Sequence, residues 1–213
     1  MRISSAGSAG IGERRVVPAL LRGLLLLLCV VLPLAGCGIN NIPNYSEQAK
    51  AAWAQVLNQY QRRADLVPNL VQTVKGAANF ETKTLQAVVD ARSKVGQMQL
   101  PSDILNNPQA MQAFEQNQGA LTSALSRLMV VVEQYPDLKA NANFQTLQAQ
   151  LEGTENRIAV ARRDYIDAVR QYNTELKTFP GRIWAMLLYS SYKEMAQFTA
   201  DEKAMTVPTV NFN

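Results

Sequence analysis

The chain has 213 residues, 47% of them hydrophobic and 18% charged, with 21 Lys and Arg against 17 Asp and Glu. It contains no histidine, which excludes the most common general base at neutral pH, the usual serine and cysteine triads and most zinc and haem sites. The length suffices for one domain with a substantial hydrophobic core.

The N-terminal segment has the pattern of an export signal. Four arginines precede the apolar run at residues 24–32, and Ala35 and Gly36 then lead to Cys37. A positive region, a short apolar region and small residues, in this order, are typical of a secretory signal peptide. The run is also short for a helix that crosses a membrane.

Residues 34–37 are similar to the lipobox of bacterial lipoproteins. This resemblance implies cleavage before Cys37 and acylation of its thiol, with palmitate among the expected chains. We therefore predict a lipoprotein signal peptide over 1–36 and an acylated tether over 37–45. An uncleaved signal-anchor helix is the alternative.

Cleavage would remove most of the basic excess. Residues 1–36 hold four arginines and one acid, Glu13, which leaves 17 basic and 16 acidic residues in the rest of the chain. A nearly neutral domain is not expected to bind nucleic acid. Because Cys29 lies in the signal and Cys37 would be acylated, no disulfide is expected in the mature domain.

Residues 46–213 are predicted to form an all-α domain. Apolar residues recur at alternating intervals of four and three from Trp53 to Val95, which is typical of a helix packed along a seam. Pro68 lies inside this run, yet the phase continues beyond it. We predict one long first helix that is kinked at Pro68.

Two further apolar runs extend from Met111 to Tyr135 and from Phe144 to Phe179, after a loop signal at residues 96–108. Three long helices with coiled-coil-like spacing, joined by short turns, predict an antiparallel up-and-down helical bundle. The apolar segment 183–189 predicts a short fourth helix, which residues 192–198 could continue.

Two segments are candidates for partner binding. At the first, near the expected kink, the polar residues either stabilise the bend or form a docking surface. At the second, the apolar segment either covers the open end of the bundle or contacts a protein partner or a membrane. An up-down-up bundle would place that segment far from the N-terminal anchor, which favours a protein partner. The candidate residues are Arg62, Arg63, Asp65, Pro68 and Asn69 at the first segment, and Ile183 and Trp184 at the second.

Charged residues of the third helix alternate in sign at intervals of three and four, which predicts a solvated face that pairs with itself. Its basic residues are Arg157, Arg162, Arg163 and Arg170, and its acidic ones are Glu155, Asp164 and Asp167. Gln118 and Thr154 fall in core register, where polar residues usually fix the alignment of helices. Glu152 and Glu155 lack a third ligand nearby, so no metal site is predicted. No cofactor site and no catalytic residue are predicted either. An enzyme or ligand-binding domain, with a pocket lined by Glu81, Arg92, Tyr165 or Tyr172, is the alternative.

Residues 62–92 and 124–173 resemble the LemA family of bacterial envelope proteins, and the resemblance extends from about Tyr45 to the Val-Asn-Phe near the C-terminus. It implies an all-helical domain held outside the cytoplasm by an N-terminal membrane anchor. Family members usually have a transmembrane helix where this chain has Cys37. The family has no established enzymatic activity, so no catalytic residue can be transferred. Some relatives are encoded beside TPM-domain proteins or membrane proteases, which implies envelope membrane proteins as partners.

Together these observations predict a non-enzymatic, lipid-anchored scaffold or adaptor at the extracytoplasmic side of the cell membrane, with self-association left open. In a double-membrane bacterium, Gly38 stands where a retention signal would have aspartate. We therefore expect the outer membrane, facing the periplasm, in such a cell.

Overall fold

The computed structural model describes residues 38–76 and 80–198, so the predicted signal peptide, Cys37 and residues 199–213 lie outside it. The chain separates into residues 1–40 and 41–213, and the second unit carries the elements discussed below. Every regular element in the described ranges is helical, which confirms the all-α class. The elements are α1 (Asn41–Lys75), α2 (Thr82–Gln97), a 3-10 helix (Ile104–Asn106), α3 (Pro108–Val132), α4 (Pro136–Lys139), α5 (Ala142–Lys177) and α6 (Gly181–Leu187).

The predicted first helix is in fact two helices. The chain stays helical through Pro68, but α1 ends at Lys75 and α2 begins at Thr82. The prediction of one helix as far as Val95 is therefore wrong. The apolar spacing stays in phase across this break because Val74 and Leu85, both buried, are eleven residues apart. That separation is close to three turns of an α-helix.

Pro68 is accommodated by a contact between helices. Proline lacks the N–H that would bond the carbonyl of Ala64, and Arg92 Nε of α2 donates to that oxygen instead, at 3.2 Å. Asp65 accepts from Gln61 within α1. The freed carbonyl is thus satisfied by α2 rather than by the polar residues beside the proline.

Helices α3 and α5 begin at capped positions. Asn107 Oδ1 accepts from the backbone N–H of Ala110 at the start of α3, and Asn141 Oδ1 accepts from Asn143 and Phe144 at the start of α5. These side chains satisfy backbone donors that have no partner within the helix. The N-terminal boundary of α1 differs from the prediction, since helix begins at Asn41 inside the predicted tether.

Helices α1 and α5 pack against each other in opposite directions. Asn41 at the start of α1 bonds Glu175 near the end of α5. Arg63, later in α1, bonds Glu155, which is earlier in α5, so the two helices are antiparallel. Helix α2 packs on α3 and α1. The buried side chains form two clusters. One surrounds Ile42, Trp53, Met111, Phe114, Tyr165 and Tyr172, and the other surrounds Leu70, Val74, Val88, Leu128, Phe144 and Leu151.

Helix α6 lies at the end of the molecule where α1 begins. It packs against α5 and α1, and Trp184 contacts the cluster that contains Ile42. The expectation that this segment lies far from the start of the first helix is therefore wrong. Helix α2 runs back along α1, since Leu85 shares a cluster with Val74 and Arg92 bonds Ala64. This adds one reversal of the chain and brings the end of α5 back to the start of α1.

Candidate functional site

Arg63 is the centre of a buried polar cluster between the two apolar clusters. Its side chain is 1% exposed. Nη1 donates to Thr122 Oγ1 at 2.7 Å and to Glu155 Oε1 at 2.9 Å, and Nη2 donates to the side-chain and backbone oxygens of Gln118 at 2.6 and 3.2 Å. The guanidinium also lies 5.0 Å from the ring centre of Tyr60. One side chain of α1 thereby joins α3 and α5.

This burial corrects the docking surface predicted on α1. Arg63 is inside, Pro68 is partly covered, and only Arg62, Asp65 and Asn69 are exposed. The signal was present in the sequence, because Arg63 follows Tyr60 by three residues and therefore lies on the same helix face. Gln118, predicted in core register, is buried as expected and accepts from Arg63.

Arg162 forms a second connection between helices. Its Nη1 donates to Tyr60 Oη at 3.1 Å, and its Nη2 donates to Glu115 Oε1 of α3 at 3.1 Å. Its guanidinium centre lies 4.0 Å from the ring centre of Phe198. Pairing within α5 was predicted for its charged residues. Arg170 does pair with Asp167 of the same helix, but Arg162 pairs with Glu115 of α3 instead.

Arg63 and Arg162 line an open groove of about 530 Å³. The groove contains three arginines and one carboxylate, and two of the arginines are engaged in the hydrogen bonds described above. Its chemistry is that of a clamp between helices, since Arg63 of α1 pairs with Glu155 of α5, and Arg162 of α5 pairs with Glu115 of α3. The remaining lining residues are Tyr60, Thr122, Glu155, Ile158, Ala159, Arg163 and Ile166. Within residues 38–76 and 80–198, no group of three or more acidic or cysteine side chains could hold a metal ion.

The four residues of the alternative pocket are not brought together. Arg92 bonds the carbonyl of Ala64, and Glu81 accepts from Thr84 at the start of α2. Tyr165 and Tyr172 instead donate to backbone carbonyls of the C-terminal segment. These side chains serve separate structural contacts.

Residues 193–198 form an extended strap along α5, where a continuation of the fourth helix was expected. Tyr172 Oη donates to the carbonyl of Lys193 at 2.9 Å. Asn173 accepts from the N–H of Met195 and donates to its carbonyl, both at 2.9 Å. Because side chains of α5 supply these bonds, the segment has no need of a helical hydrogen-bond pattern.

We expect Asn173→Ala to loosen this strap. The change removes both hydrogen bonds to Met195 and should lower the free energy of unfolding by about 1–2 kcal/mol. Amide hydrogen exchange should rise several-fold at Met195 but not in the middle of α3. Equal protection of Met195 in the variant and the wild type would contradict this assignment.

The tyrosines that bond the strap also make the stability of the protein depend on pH in the alkaline range. Burial, with a smaller contribution from the charge of Tyr192, raises the pKa of Tyr172 to about 12, and burial raises the pKa of Tyr165 as well. A folded pKa above the unfolded value contributes stability that is fully present below about pH 10 and is lost as the pH rises towards 12.

We therefore expect the urea midpoint to fall between pH 10 and 12, and to fall less steeply in Tyr172→Phe. The double variant with Tyr165→Phe should have the shallowest slope. Identical slopes in the three proteins would show that neither phenol is responsible.

The sequence comparisons identify the family. The family profile described as LemA family matches residues 52–212. The chain belongs to the LemA family. This agrees with the resemblance found in the sequence, and with the all-helical structure of the described ranges.

Several named proteins are similar to this LemA family chain. Magnetosome protein MamQ 2 of Paramagnetospirillum magneticum is 27% identical over 187 residues, which cover 80% of this chain and 68% of that protein. Magnetosome protein MamQ of Magnetospirillum gryphiswaldense is 26% identical over 168 residues, covering 71% and 61%. Protein LemA of Metamycoplasma hominis is 27% identical over 140 residues, covering 66% and 57%.

The second docking segment is only partly accessible. Ile183 is 44% exposed, whereas Trp184 packs against the core and its Nε1 is buried without a hydrogen-bond partner. None of the helices in residues 38–76 and 80–198 combines the length and the apolar character needed to cross a bilayer.

Proposed function

We propose that this LemA family protein is a membrane-anchored lipoprotein that acts as a non-enzymatic scaffold or adaptor for envelope proteins. The observation that carries the proposal is the buried cluster around Arg63. It fastens α1, α3 and α5 to one another, and it uses Arg63 and Glu155 of the groove for internal contacts. Such an arrangement favours a rigid support over a reactive site.

The proposed anchor is an acylated Cys37, placed at the extracytoplasmic side of the cell membrane, or at the outer membrane in a double-membrane bacterium. Helix α1 begins at Asn41, only four residues after that cysteine. The proposal includes an antiparallel up-and-down bundle, which the opposite directions of α1 and α5 support. A short connection to a stiff helical unit would hold exposed side chains at a limited distance from the membrane.

The proposed docking surface consists of Arg62, Asp65 and Asn69 on α1. All three are exposed, and they lie on the part of α1 whose opposite face contains the buried Arg63. A polar surface on a rigid helix suits recognition of a folded domain, because little conformational entropy is lost on binding.

Photocrosslinking in cells tests the adaptor role. A photoreactive residue at Asn69 is expected to form a discrete adduct with an envelope membrane protein, identified by mass spectrometry. The same residue at Val160, which is 52% exposed on α5, serves as the control and should form no such adduct. Adducts with the protein itself alone, or none at position 69, would refute the proposal.

Substitution of Cys37 tests the anchor separately. The Cys37→Ser variant should lose the acyl mass from its N-terminal peptide and should no longer be processed at that site. An unmodified Cys37 in the wild-type protein, recovered from membranes, would show that the chain is held by an uncleaved N-terminal segment instead.

A further inference from the structure

Large apolar side chains are exposed together around α6. The exposed fractions are 81% for Phe179, 44% for Ile183, 69% for Met186, 68% for Leu187 and 57% for Leu188. We call these five residues the α6 patch. The spacing of Ile183, Met186 and Leu187 by three and four residues places them on one face of the helix. A concentration of exposed apolar residues usually marks a surface that contacts something other than water.

Three contacts place the patch at the end where α1 begins. Asn41 Nδ2 donates to Glu175 Oε1 at 3.1 Å. The backbone of Gly181, the first residue of α6, lies directly against the carbonyl of Glu175. Trp184 then packs on the cluster that includes Ile42.

The length of chain before α1 limits how far this end lies from a membrane. Asn41 is four residues after Cys37 and seven after Leu34. Fully extended, these segments span at most about 14 and 25 Å. With an acylated Cys37 or the retained apolar segment as the anchor, the end of the molecule that carries the α6 patch would therefore lie within reach of the bilayer.

The composition of the segment suits a lipid surface. Residues 179–193 contain two basic side chains, Arg182 and Lys193, and no acidic one, and both basic residues are exposed. Trp184, Tyr189 and Tyr192 are the aromatic types enriched where protein meets the headgroup region. Exposed apolar residues flanked by basic and aromatic ones are characteristic of segments that lie in the interface of an anionic bilayer.

The segment that follows α6 ends at Phe198, at a different place on the molecule from the α6 patch. Phe198 packs on Trp53 and Tyr165 beside Arg162. Arg162 is fifteen residues before Lys177 in α5, a distance of about 22 Å along the helix. Phe198 therefore lies well away from the α6 patch.

We propose that the α6 patch inserts into the surface of the bilayer that holds the N-terminal anchor. It forms a second membrane contact, which holds the bundle with its α6 end towards the lipid. This rests on the membrane anchoring in the proposed function, and it replaces the protein partner expected for Ile183 and Trp184. The ligand is an anionic phospholipid surface. The basic and aromatic residues contact its headgroups, and the apolar residues contact the hydrocarbon below them.

Depth-dependent fluorescence quenching in the full chain tests the inference. An environment-sensitive fluorescent amino acid is placed at Leu187, or at Val130 as the control. Each of these side chains is 68% exposed, but Val130 lies near the opposite end of the molecule. The protein, purified from membranes with its own anchor, is reconstituted into bilayers of phosphatidylethanolamine and phosphatidylglycerol that contain brominated lipids.

We expect lipid quenching at position 187 to be at least threefold stronger than at position 130. Replacing Met186 and Leu188 by serine should remove most of that difference. Equal quenching at the two positions, or none at either, would overturn the inference. So would protection of position 187 from a water-soluble quencher without quenching by lipid, because it would mean that residues 199–213 or a second copy covers the patch.

A separate measurement distinguishes this result from failure of the anchor. Membrane fractionation of the same samples reports anchoring. Membrane-bound protein with no lipid quenching at position 187 refutes the α6 contact alone. A protein found in the soluble fraction refutes the anchoring on which both proposals depend.

Discussion

Replacing Arg63 by alanine is expected to lower the free energy of unfolding by about 3 kcal/mol. The change removes the arginine that donates to Gln118 Oε1 and Thr122 Oγ1 inside the protein, and it opens a cavity at the crossing of three helices. Glu155 loses its partner too, but it can turn to water because its side chain is 40% exposed. Urea unfolding followed by circular dichroism measures the effect.

The neighbouring arginine provides a matched control. Arg62 is exposed, so Arg62→Ala should change stability by no more than about 0.5 kcal/mol. Glu155→Gln should cost about 1 kcal/mol, since it keeps a hydrogen-bond acceptor for Arg63. An Arg63→Ala variant as stable as Arg62→Ala would show that the cluster does not hold the helices together, and would remove the main support for the adaptor proposal.

Replacing Gly181 by alanine is expected to destabilise the protein by about 2–3 kcal/mol through overpacking. A Cβ at this position would overlap the backbone carbonyl of Glu175 and lie 2.8 Å from its Oε1. A backbone oxygen cannot move aside as a flexible side chain can, so α6 must shift away from α5. Thermal unfolding gives the cost, and the fluorescence of Trp184 in a Trp53→Phe background gives the displacement.

A second glycine separates crowding from the general effect of adding a methyl group. Gly119 lies inside α3, and a Cβ added there would have open space around it, with no neighbour within 4 Å apart from the backbone of its own helix. Gly119→Ala should therefore stabilise the protein by about 0.5–1 kcal/mol, because alanine favours the helix. Similar effects at the two positions would contradict the close approach of α6 to α5. The displaced α6 of Gly181→Ala should also show weaker lipid quenching at Leu187.

Helix type and several boundaries could be predicted because their causes are local. Asn107 before Pro108 and Asn141 before an apolar run are local signals of a helix start, and each of the two asparagines caps a helix in the structure. The end of α1 was missed because spacing records only the phase of buried positions. Val74 and Leu85 keep that phase whether the chain between them continues as a helix or reverses direction.

The site was harder to predict than the helices. Arg63 was selected as a candidate either for stabilising the bend at Pro68 or for docking a partner, and neither interpretation placed it in a buried cluster between helices. Its partners Thr122 and Glu155 are 59 and 92 residues away in sequence, and no local pattern records such a pairing. The donor to Ala64 is likewise Arg92, on a helix that the sequence had merged with α1.

Periodicity, caps and family motifs are properties of short or contiguous segments, so the helical class, the family and the order of apolar faces follow from the amino-acid sequence alone. The burial of Arg63 as a clamp and the position of α6 beside the start of α1 became visible only in the folded chain. Both depend on how many times the chain reverses and on which side chains then meet. Those contacts join residues distant in sequence, and a single additional turn changes which end of the molecule each of them occupies.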